Sequence, residues 1–301
     1  IVVDGLSKNF RNLEAVRNLS LSVAEGEVFG FLGPNGAGKT TTINMLCTLL
    51  RPTSGLAYIA GFDIIRQQRE VRRSIGLVFQ ETTLDEYLTA EQNLKFHSYA
   101  YGVPRRTAQV RIEQLLTMLQ LWDRRKQSIR EFSGGMKRRL ELARGLIHRP
   151  QVLFLDEPSL GLDPQARHNI WQYVLELRAN EGITMFMTTH YMDEAENCDR
   201  IAVVDNGSVV ALGTPEELKQ KVGGDVITLK AGNNNAVKKE LRDHYSIDSS
   251  FSGDNLIFTV PQGDKFLPKF VRELNQQLQS ISVRRPTLDD VFLKLTGHTL
   301  R

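Results

Sequence analysis

The chain has 301 residues, of which 41% are apolar and 24% are charged, with a net charge of +3. This length and composition predict a globular protein with one large and one smaller domain, and exclude a disordered chain. No apolar run reaches the roughly 20 residues of a membrane span, so any membrane function would need another chain.

The first predicted elements surround a glycine-rich loop. Alternating apolar residues at 19–23 and the run VFGFL at 28–32 predict two strands that lead into this loop. A helix over about 38–50 follows, and the RPTSG stretch ends it. Short strands are expected near LAYIA and SIGLVF. Cys47 and Cys198 form no CxxC pair, which indicates packing thiols in a reducing compartment.

A helical pattern runs from about Leu88 to Arg149, with twelve Arg or Lys against four Asp or Glu over residues 101–149. This charge suits a solvated surface, or attraction to ATP phosphates or an anionic leaflet, and nucleic-acid binding is a weaker option. After Pro150, strands and helices alternate again in QVLFL, DPQARHNIWQYVLELRAN, ITMFMTTH and RIAVVDNGSVVALG, the last with an Asn-Gly hairpin turn.

These patterns predict an α/β fold with a mostly parallel sheet and a helical insert at about 85–149. Two glycines in KQKVGGD mark a composition shift, so the expected domains are 1–220 and 221–301. The smaller domain follows a strand, helix, strand, helix, strand, helix pattern over 225–301, which predicts an α+β unit.

The segment GPNGAGKT at 33–40 fits G-x-x-x-x-G-K-[ST], follows a strand and opens a helix. Its backbone N–H groups can surround the α- and β-phosphates of a nucleotide, while Lys39 reaches the β- and γ-phosphates. The Thr40 hydroxyl can bind Mg²⁺. The residues expected to bind ATP here are Gly33, Pro34, Asn35, Gly36, Ala37, Gly38, Lys39, Thr40 and Thr41.

Polar residues at the ends of three later strands complete this candidate site. QVLFLDEP places Asp156 to hold Mg²⁺ and Glu157 to accept a proton from the attacking water. His190 ends ITMFMTTH and could contact the γ-phosphate, and Gln80 ends SIGLVFQ and could bind Mg²⁺ or water. Taken singly, His190 and Gln80 would more often be structural residues.

A second helix start suited to phosphate appears in FSGGM at 132–136. Ser133 fits an N-cap, and Gly134 and Gly135 expose the backbone of the first turn. The cations at 137–139 oppose the helix dipole unless an anion is present. The chain already contains a better phosphate-binding loop at 33–40. It is therefore open which nucleotide provides the phosphate that FSGGM would bind.

The order GPNGAGKT, Gln80, FSGG, LDEP, SLGLD and His190 resembles the nucleotide-binding subunit of ATP-binding cassette (ABC) transporters over about residues 1–220. The resemblance implies a P-loop NTPase core with an antiparallel β subdomain. It makes FSGG the signature motif, SLGLD the D-loop with Asp163 near ATP, and His190 the switch histidine. It also implies that Phe10 stacks on adenine, although a lone phenylalanine would more often be a packing residue.

Cassettes of this family form head-to-tail dimers, in which the signature helix of one subunit closes on the γ-phosphate held by the other. The resemblance therefore implies that Ser133, Gly134 and Gly135 bind ATP in trans. Phe132 replaces the usual leucine and keeps an apolar anchor, whereas Met136 replaces glutamine and removes an amide.

The tail RRPTLDDVFLKLTG at 284–297 resembles daunorubicin-resistance-type exporter ATPases, which pair with a separate ABC-2-type permease. The implied function is an ATP- and Mg²⁺-dependent ATPase that powers export of a drug, lipid or similar compound. It would act at the cytoplasmic face of the cell membrane, in a dimer with a second copy or a paralogue, and no nucleic-acid partner is expected.

The alternative is a soluble ABC ATPase that acts on the ribosome or on DNA. A DNA-maintenance ATPase would need a long heptad-patterned insertion before the signature, where only about fifty residues lie. A ribosome-acting factor normally carries two cassettes, and this sequence contains one P-loop.

Overall fold

The computed structural model describes residues 1–274 and 276–297, which divide by their contacts into two compact units. The first unit ends at Leu212 and the second begins at Gly213, eight residues before the boundary expected from sequence. The reason is the helix Pro215–Gln220, which packs against the helix Leu288–Thr296 of the second unit. The glycine pair at 223–224 therefore lies inside the second unit.

The first unit alternates strands and helices around one helical segment. Its elements are β1 (Val2–Phe10), β2 (Leu13–Ser22), β3 (Val28–Leu32), α1 (Lys39–Leu46), β4 (Ser54–Ile59), β5 (Phe62–Asp63), α2 (Gln68–Ser74), β6 (Ile75–Val78), α3 (Ala90–Ala100), α4 (Arg105–Met118), α5 (Gly134–Leu146), β7 (Val152–Asp156), α6 (Pro164–Glu181), β8 (Thr184–Thr189), α7 (Met192–Ala195), β9 (Arg200–Asp205) and β10 (Ser208–Gly213).

A six-stranded sheet in the order β10-β9-β3-β8-β7-β6 forms the centre of this unit. The four pairs from β9 to β6 are parallel, which confirms the mostly parallel sheet. Strands β3, β7 and β8 are buried along their whole length, and this explains their continuous apolar runs. Because the strands are parallel, the segments that follow β3, β6, β7 and β8 meet at one edge of the sheet.

The antiparallel β subdomain is a second sheet in the order β2-β1-β4-β5. Strand β1 was absent from the sequence-predicted elements. Its register with β2 shifts between Val3 and Leu6, where Gly5 has a φ of 60°. This irregularity breaks the two-residue alternation by which a half-buried strand is recognised.

The predicted helix over 38–50 is shorter in the structure. Helix α1 ends at Leu46, and Thr48 has a φ of 62°, a left-handed conformation that no α-helix continues through. The Asn206–Gly207 hairpin turn is confirmed, since both residues have positive φ values of 47° and 78°. It joins the neighbouring strands β9 and β10.

The second unit contains α8 (Pro215–Gln220), β11 (Asp225–Ala231), α9 (Asn234–Tyr245), β12 (Ser249–Ser252), β13 (Asn255–Val260), α10 (Gly263–Glu273), β14 (Leu278–Arg284) and α11 (Leu288–Thr296). Its sheet has the order β12-β13-β11-β14 with antiparallel neighbours, the arrangement of a split βαβ fold. The β12–β13 hairpin stands where the sequence indicated one strand, because β12 reads SSFS and carries little apolar pattern. The last four residues of the predicted α+β unit lie outside the described residues.

Candidate nucleotide-binding site

The phosphate-binding loop connects β3 to α1, and two of its glycines are required by close backbone approach. A Cβ at Gly38 would lie 2.4 Å from the Ala15 carbonyl oxygen, and Gly38 has a φ of 94°. A Cβ at Gly33 would lie 2.4 Å from the Val204 carbonyl oxygen. The loop therefore packs against β2 and β9 and leaves its N–H groups at the start of α1, where a phosphate binds favourably.

A cleft of about 420 Å³ opens beside this loop. The predicted residues that line it are Phe10, Asn35, Gly36, Gly38, Lys39, Thr40, Thr41, Gln80 and Glu157. Sequence reasoning did not single out the other lining residues, Leu13, Glu14, Ala15, Arg17, Asn206 and Gly207. Phe10 is 43% exposed on the cleft wall, where a base could stack on its ring.

Three predicted loop residues lie behind the cleft rather than on its surface. The carbonyl oxygens of Gly33 and Pro34 accept hydrogen bonds from Lys39 Nζ at 2.8 and 3.1 Å. Ala37 is buried in the core of the first unit. These residues shape the loop and fix Lys39, and the wall of the cleft comes from their neighbours.

The Lys39 ammonium also forms an ion pair with Glu157, with 3.1 Å between Nζ and Oε1. Both residues are buried, at 5% and 6% exposure. In a site so poorly hydrated, their attraction is much stronger than between surface charges. The loop cation and the proposed proton acceptor are therefore in direct contact.

Glu157 follows β7 directly and has a φ of 45°, unusual for a residue other than glycine. Its N–H donates to Thr188 Oγ1 at 3.0 Å, and the Thr188 hydroxyl donates to Asp156 Oδ1 at 2.6 Å. His190 Nδ1 lies 3.3 Å from Glu157 Oε1. Thr188 therefore fixes both acidic residues; sequence reasoning missed it, although a threonine pair ends the apolar run of β8.

The residues expected to hold Mg²⁺ supply oxygen ligands, which this ion prefers. Thr40 and Gln80 line the same cleft, and the buried Asp156 stands at the end of β7. Within residues 1–274 and 276–297, no group of three His, Cys, Asp or Glu side chains could hold a metal. A Mg²⁺ ion held mainly by a hydroxyl, an amide, one carboxylate and nucleotide phosphates fits this donor set.

The signature residues line a different cleft of about 330 Å³ in the same chain. Ser133 is the N-cap of α5 and accepts from the Met136 N–H at 3.3 Å, so the predicted helix start is confirmed. Gly134 and Gly135 lie on the wall of this cleft, together with Asp163, the N-cap of α6. The sets of residues that line the two clefts have no member in common.

The three cations that follow the signature glycines have partners within the chain. Lys137 pairs with Glu86 at 2.7 Å, and Arg139 donates to the Leu119 carbonyl oxygen at 3.0 Å. Arg138 is buried and donates to backbone carbonyls near β6 and β7. A bound anion is thus not needed to explain these charges, which corrects the dipole argument drawn from sequence.

A buried glutamate supports the segment around His190. Glu194 accepts hydrogen bonds from the hydroxyls of Ser159 and Thr189, the second at 2.6 Å. Burial raises the pKa of the Glu194 carboxyl, while these hydrogen bonds act in the opposite direction. Ser159 follows the LDEP segment and Thr189 precedes His190, so Glu194 connects the two segments.

Two family models match the chain: "ABC transporter" over residues 16–160, and "ATP-binding protein DrrA1-3-like, C-terminal domain" over residues 213–296. Daunorubicin resistance ATP-binding protein DrrA3 of Streptomyces coeruleorubidus is 42% identical over 311 residues, covering 100% of this chain and 97% of that protein. Nod factor export ATP-binding protein I of Ralstonia nicotianae is 39% identical over 305 residues, covering 99% and 94%.

Among solved structures, a dimeric, post-hydrolysis ATP-binding cassette bound to ADP and Pi is similar, with a TM-score of 0.64 and 27% identity. The match covers 71% of this chain and 97% of that one. The phosphate-binding loop, the paired acidic residues and the signature helix start agree with these similarities. The chain belongs to the ATP-binding subunits of ABC transporters and, within them, to the daunorubicin-resistance type.

Proposed function

We propose that this ATPase hydrolyses Mg-ATP at composite sites, each shared with a second copy or a paralogue in a head-to-tail dimer. The observation that carries this proposal is the separation of the two clefts. Lys39, Gln80 and Glu157 line one cleft, whereas Ser133–Gly135 and Asp163 line the other. A second chain that turns its signature cleft toward the phosphate-binding loop would bring both sets onto one nucleotide.

The residues predicted from sequence in and beside the first cleft have distinct roles in this proposal. Phe10 stacks on the base and the N–H groups of residues 35–40 bind the phosphates, while Thr40, Gln80 and Asp156 would hold the metal. When bound, Mg²⁺ neutralises charge on the β- and γ-phosphates. Glu157 accepts the proton of the attacking water, and His190 orients the γ-phosphate from the end of β8.

The ion pair between Lys39 and Glu157 gives the site a way to respond to ATP. An arriving γ-phosphate, with its larger negative charge, competes with Glu157 for the Lys39 ammonium. Once Lys39 contacts the phosphate, the Glu157 carboxylate is free to accept a proton. His190, which lies 3.3 Å from the same carboxylate oxygen, can turn toward the phosphate in the same step.

We further propose that hydrolysis drives export of a drug, lipid or similar compound through an ABC-2-type permease on a separate chain, with this subunit at the cytoplasmic face of the cell membrane. The names of the relatives, which refer to daunorubicin resistance and Nod factor export, support an export function. None of the described helices is long and apolar enough to cross a membrane. The relatives give no support to the alternative role on ribosomes or DNA.

The first test of this function is nucleotide binding and turnover by the purified chain. Lys39→Ala is expected to weaken ATP binding and abolish Mg²⁺-dependent hydrolysis, because the phosphates lose their main fixed cation. Lys95→Ala, on the exposed surface of α3, is the matched control and should bind and hydrolyse ATP normally. Full activity of the Lys39→Ala chain would contradict the assigned loop.

The permease is tested separately by copurification. A tagged copy of this chain, expressed with the membrane protein encoded by the adjacent reading frame, is expected to retain that protein in detergent. An adjacent product with six hydrophobic spans would support the pairing. Failure to copurify would contradict the partner while leaving the ATPase assignment intact.

A further inference from the structure

Arg138 lies on α5, three residues after Gly135, and the hydrogen bonds of its guanidinium go to Phe79, Asp156, Glu157 and Pro158, none of which lines the signature cleft. It is buried and donates hydrogen bonds to four backbone carbonyls on two other segments. Two of these bonds, to Asp156 and Glu157, measure 3.1 and 3.0 Å. The other two reach the carbonyl oxygens of Pro158 and Phe79.

These four carbonyls belong to the catalytic side of the chain's own site. Asp156 is the last residue of β7 and Glu157 follows it, and Phe79 directly precedes Gln80. A guanidinium presents five N–H donors in a planar, rigid fork, so one arginine can hold several carbonyls in fixed positions. Burial lowers the pKa of Arg138 to about 10, which still leaves the side chain charged at neutral pH.

The backbone that Arg138 holds has an unfavourable conformation. Glu157 has a φ of 45°, a left-handed conformation that is unfavourable for a residue with a Cβ. The Glu157 N–H donates a hydrogen bond to Thr188, and the Glu157 carbonyl oxygen accepts one from Arg138. The two contacts together fix the peptide groups on either side of the side chain that is proposed to accept a proton.

A second residue of α5 holds the other side of Gln80. Glu141, 1% exposed, accepts from the Thr83 N–H at 2.6 Å and from the Thr82 hydroxyl at 3.1 Å. It also pairs with Arg144 at 2.7 Å. The segment that contains Gln80 is therefore bonded to α5 on both sides. Arg138 bonds Phe79, just before Gln80, and Glu141 bonds Thr82 and Thr83, just after it.

We infer that Arg138 is a positioning residue for Glu157 and Gln80 of its own chain. This inference rests on the proposed composite site, in which the first turn of the same helix contacts the partner's nucleotide. Helix α5 then serves two sites: Ser133–Gly135 complete one, and Arg138 aligns the catalytic groups of the other.

The Arg138→Lys variant separates positioning from charge. Lysine keeps the cation but has a compact head with three donors, which cannot bridge the same four carbonyls. Displacement of catalytic groups by about 1 Å costs up to ~10²-fold in rate. We expect kcat to fall at least about tenfold, while the KM for ATP stays within about threefold because the phosphate-binding loop is unchanged.

Mixed dimers show which site Arg138 serves. One chain carries Glu157→Gln, so the nucleotide on its own loop binds without being cleaved, and only the site with the other chain's Glu157 converts ATP to ADP. The conversion rate is measured in a single turnover of isolated heterodimers. Arg138→Lys is then placed either on the chain with intact Glu157 or on its partner.

The inference predicts slow conversion when Arg138→Lys lies on the chain with intact Glu157, and near-normal conversion when it lies on the partner. Equal slowing in both arrangements, or slowing only on the partner, would show that Arg138 acts through the signature residues and would overturn the inference. If the reference heterodimer without Arg138→Lys neither traps nor cleaves ATP, the composite site itself is contradicted.

Two further variants separate local effects from general destabilisation. Arg111→Lys is the matched control, because Arg111 is also buried and its hydrogen bonds go to Glu181 at 2.6 Å and to the Leu146 carbonyl oxygen at the C-terminal end of α5, at 3.5 Å. It should lower thermal stability without changing the conversion rate. If Arg138→Lys does not fold, Glu141→Gln is tested in its place. It should slow conversion when it lies on the chain with intact Glu157 and not when it lies on the partner. Equal rates in the two arrangements would count against α5 as the anchor.

Discussion

At the residue scale, Glu157 is held by contacts of both its side chain and its backbone. Its carboxylate lies 3.1 Å from the Lys39 ammonium and 3.3 Å from His190 Nδ1. Its N–H is bonded to Thr188, and its backbone has a left-handed conformation. A carboxylate held in this way contributes through its charge and position, and both can be tested by small substitutions.

Glu157→Gln is expected to keep nucleotide binding and slow hydrolysis at least ~10²-fold, because the amide retains the shape but cannot accept the proton. The loss of the Lys39 ion pair should leave the ammonium more available to the phosphates. Equilibrium ATP binding and steady-state hydrolysis of the purified variant check both points. Near-normal turnover would place the proton acceptor on another residue.

The position of the glycine-rich loop between β3 and α1 was predictable because its pattern of glycines, lysine and threonine is local in the sequence. Thr188 and Arg138 were not, because their roles depend on partners 18 to 59 residues away in the sequence. Sequence alone showed Arg138 as one of three adjacent cations. In the folded chain, the Arg138 guanidinium donates to backbone carbonyls of other segments. The spacing of residues in the sequence does not indicate these partners.

At the element scale, the buried strands were the easiest to predict and the irregular ones the hardest. Strands β3, β7 and β8 are enclosed on both faces and read as apolar runs, so sequence indicated them and the polar residues after them. Strand β1 carries bulges and β12 is short and polar, so neither gave a clear period. The contacts that place the site residues side by side join segments that are distant in the sequence, so no local pattern indicates them.

The loop between β3 and α1 gives a matched pair of glycine substitutions. Both Gly36 and Gly38 have positive φ, but only Gly38 would put a Cβ against a backbone oxygen, 2.4 Å from Ala15. Gly38→Ala is therefore expected to displace the loop and abolish ATP binding. Gly36→Ala, with no atom within 4 Å of its Cβ, should cost about 1 kcal/mol of folding free energy.

Thermal unfolding and nucleotide binding of the two variants test this contrast. An alanine at either position carries the same cost of a positive φ. The difference in stability and nucleotide affinity between the two variants therefore reports the contact of residue 38 with β2. Equal nucleotide affinities for Gly36→Ala and Gly38→Ala would show that the close approach to Ala15 does not shape the loop.

At the scale of the whole molecule, the two units have separate hydrophobic cores. One core contains residues of β1–β4, β6–β9, α1 and α2, and the other contains residues between Ile227 and Phe270. All predicted site residues lie before Leu212. Sequence placed the expected boundary at the glycine pair, whereas the contacts divide the chain between Leu212 and Gly213, because α8 packs on a helix some seventy residues later.

Removal of residues 213–301 is expected to leave a folded first unit that binds ATP, because its core and its site are complete without them. Circular dichroism, a cooperative thermal transition and nucleotide binding check this outcome. The separately expressed segment 213–301 is the reciprocal sample and should also unfold cooperatively. An insoluble first unit, or one without nucleotide affinity, would show that the second unit is part of the ATP-binding fold.

The most direct test of the composite site pairs two damaged chains. One carries Lys39→Ala, which disables its phosphate-binding loop, and the other carries Gly135→Asp, which puts a carboxylate in its signature cleft. Both also carry Glu157→Gln, so that bound ATP is not cleaved. If the signature acts in trans, the mixed dimer keeps one intact site, made by Lys39 of the second chain and the signature residues of the first.

The measurement is the number of ATP molecules trapped per isolated mixed dimer. One trapped nucleotide per dimer is the predicted result, since the other site is doubly damaged. Dimers of Lys39→Ala alone or Gly135→Asp alone, each with both sites damaged, should trap none. No trapped ATP in a folded, paired mixed dimer would contradict a signature that completes the nucleotide site of the second chain.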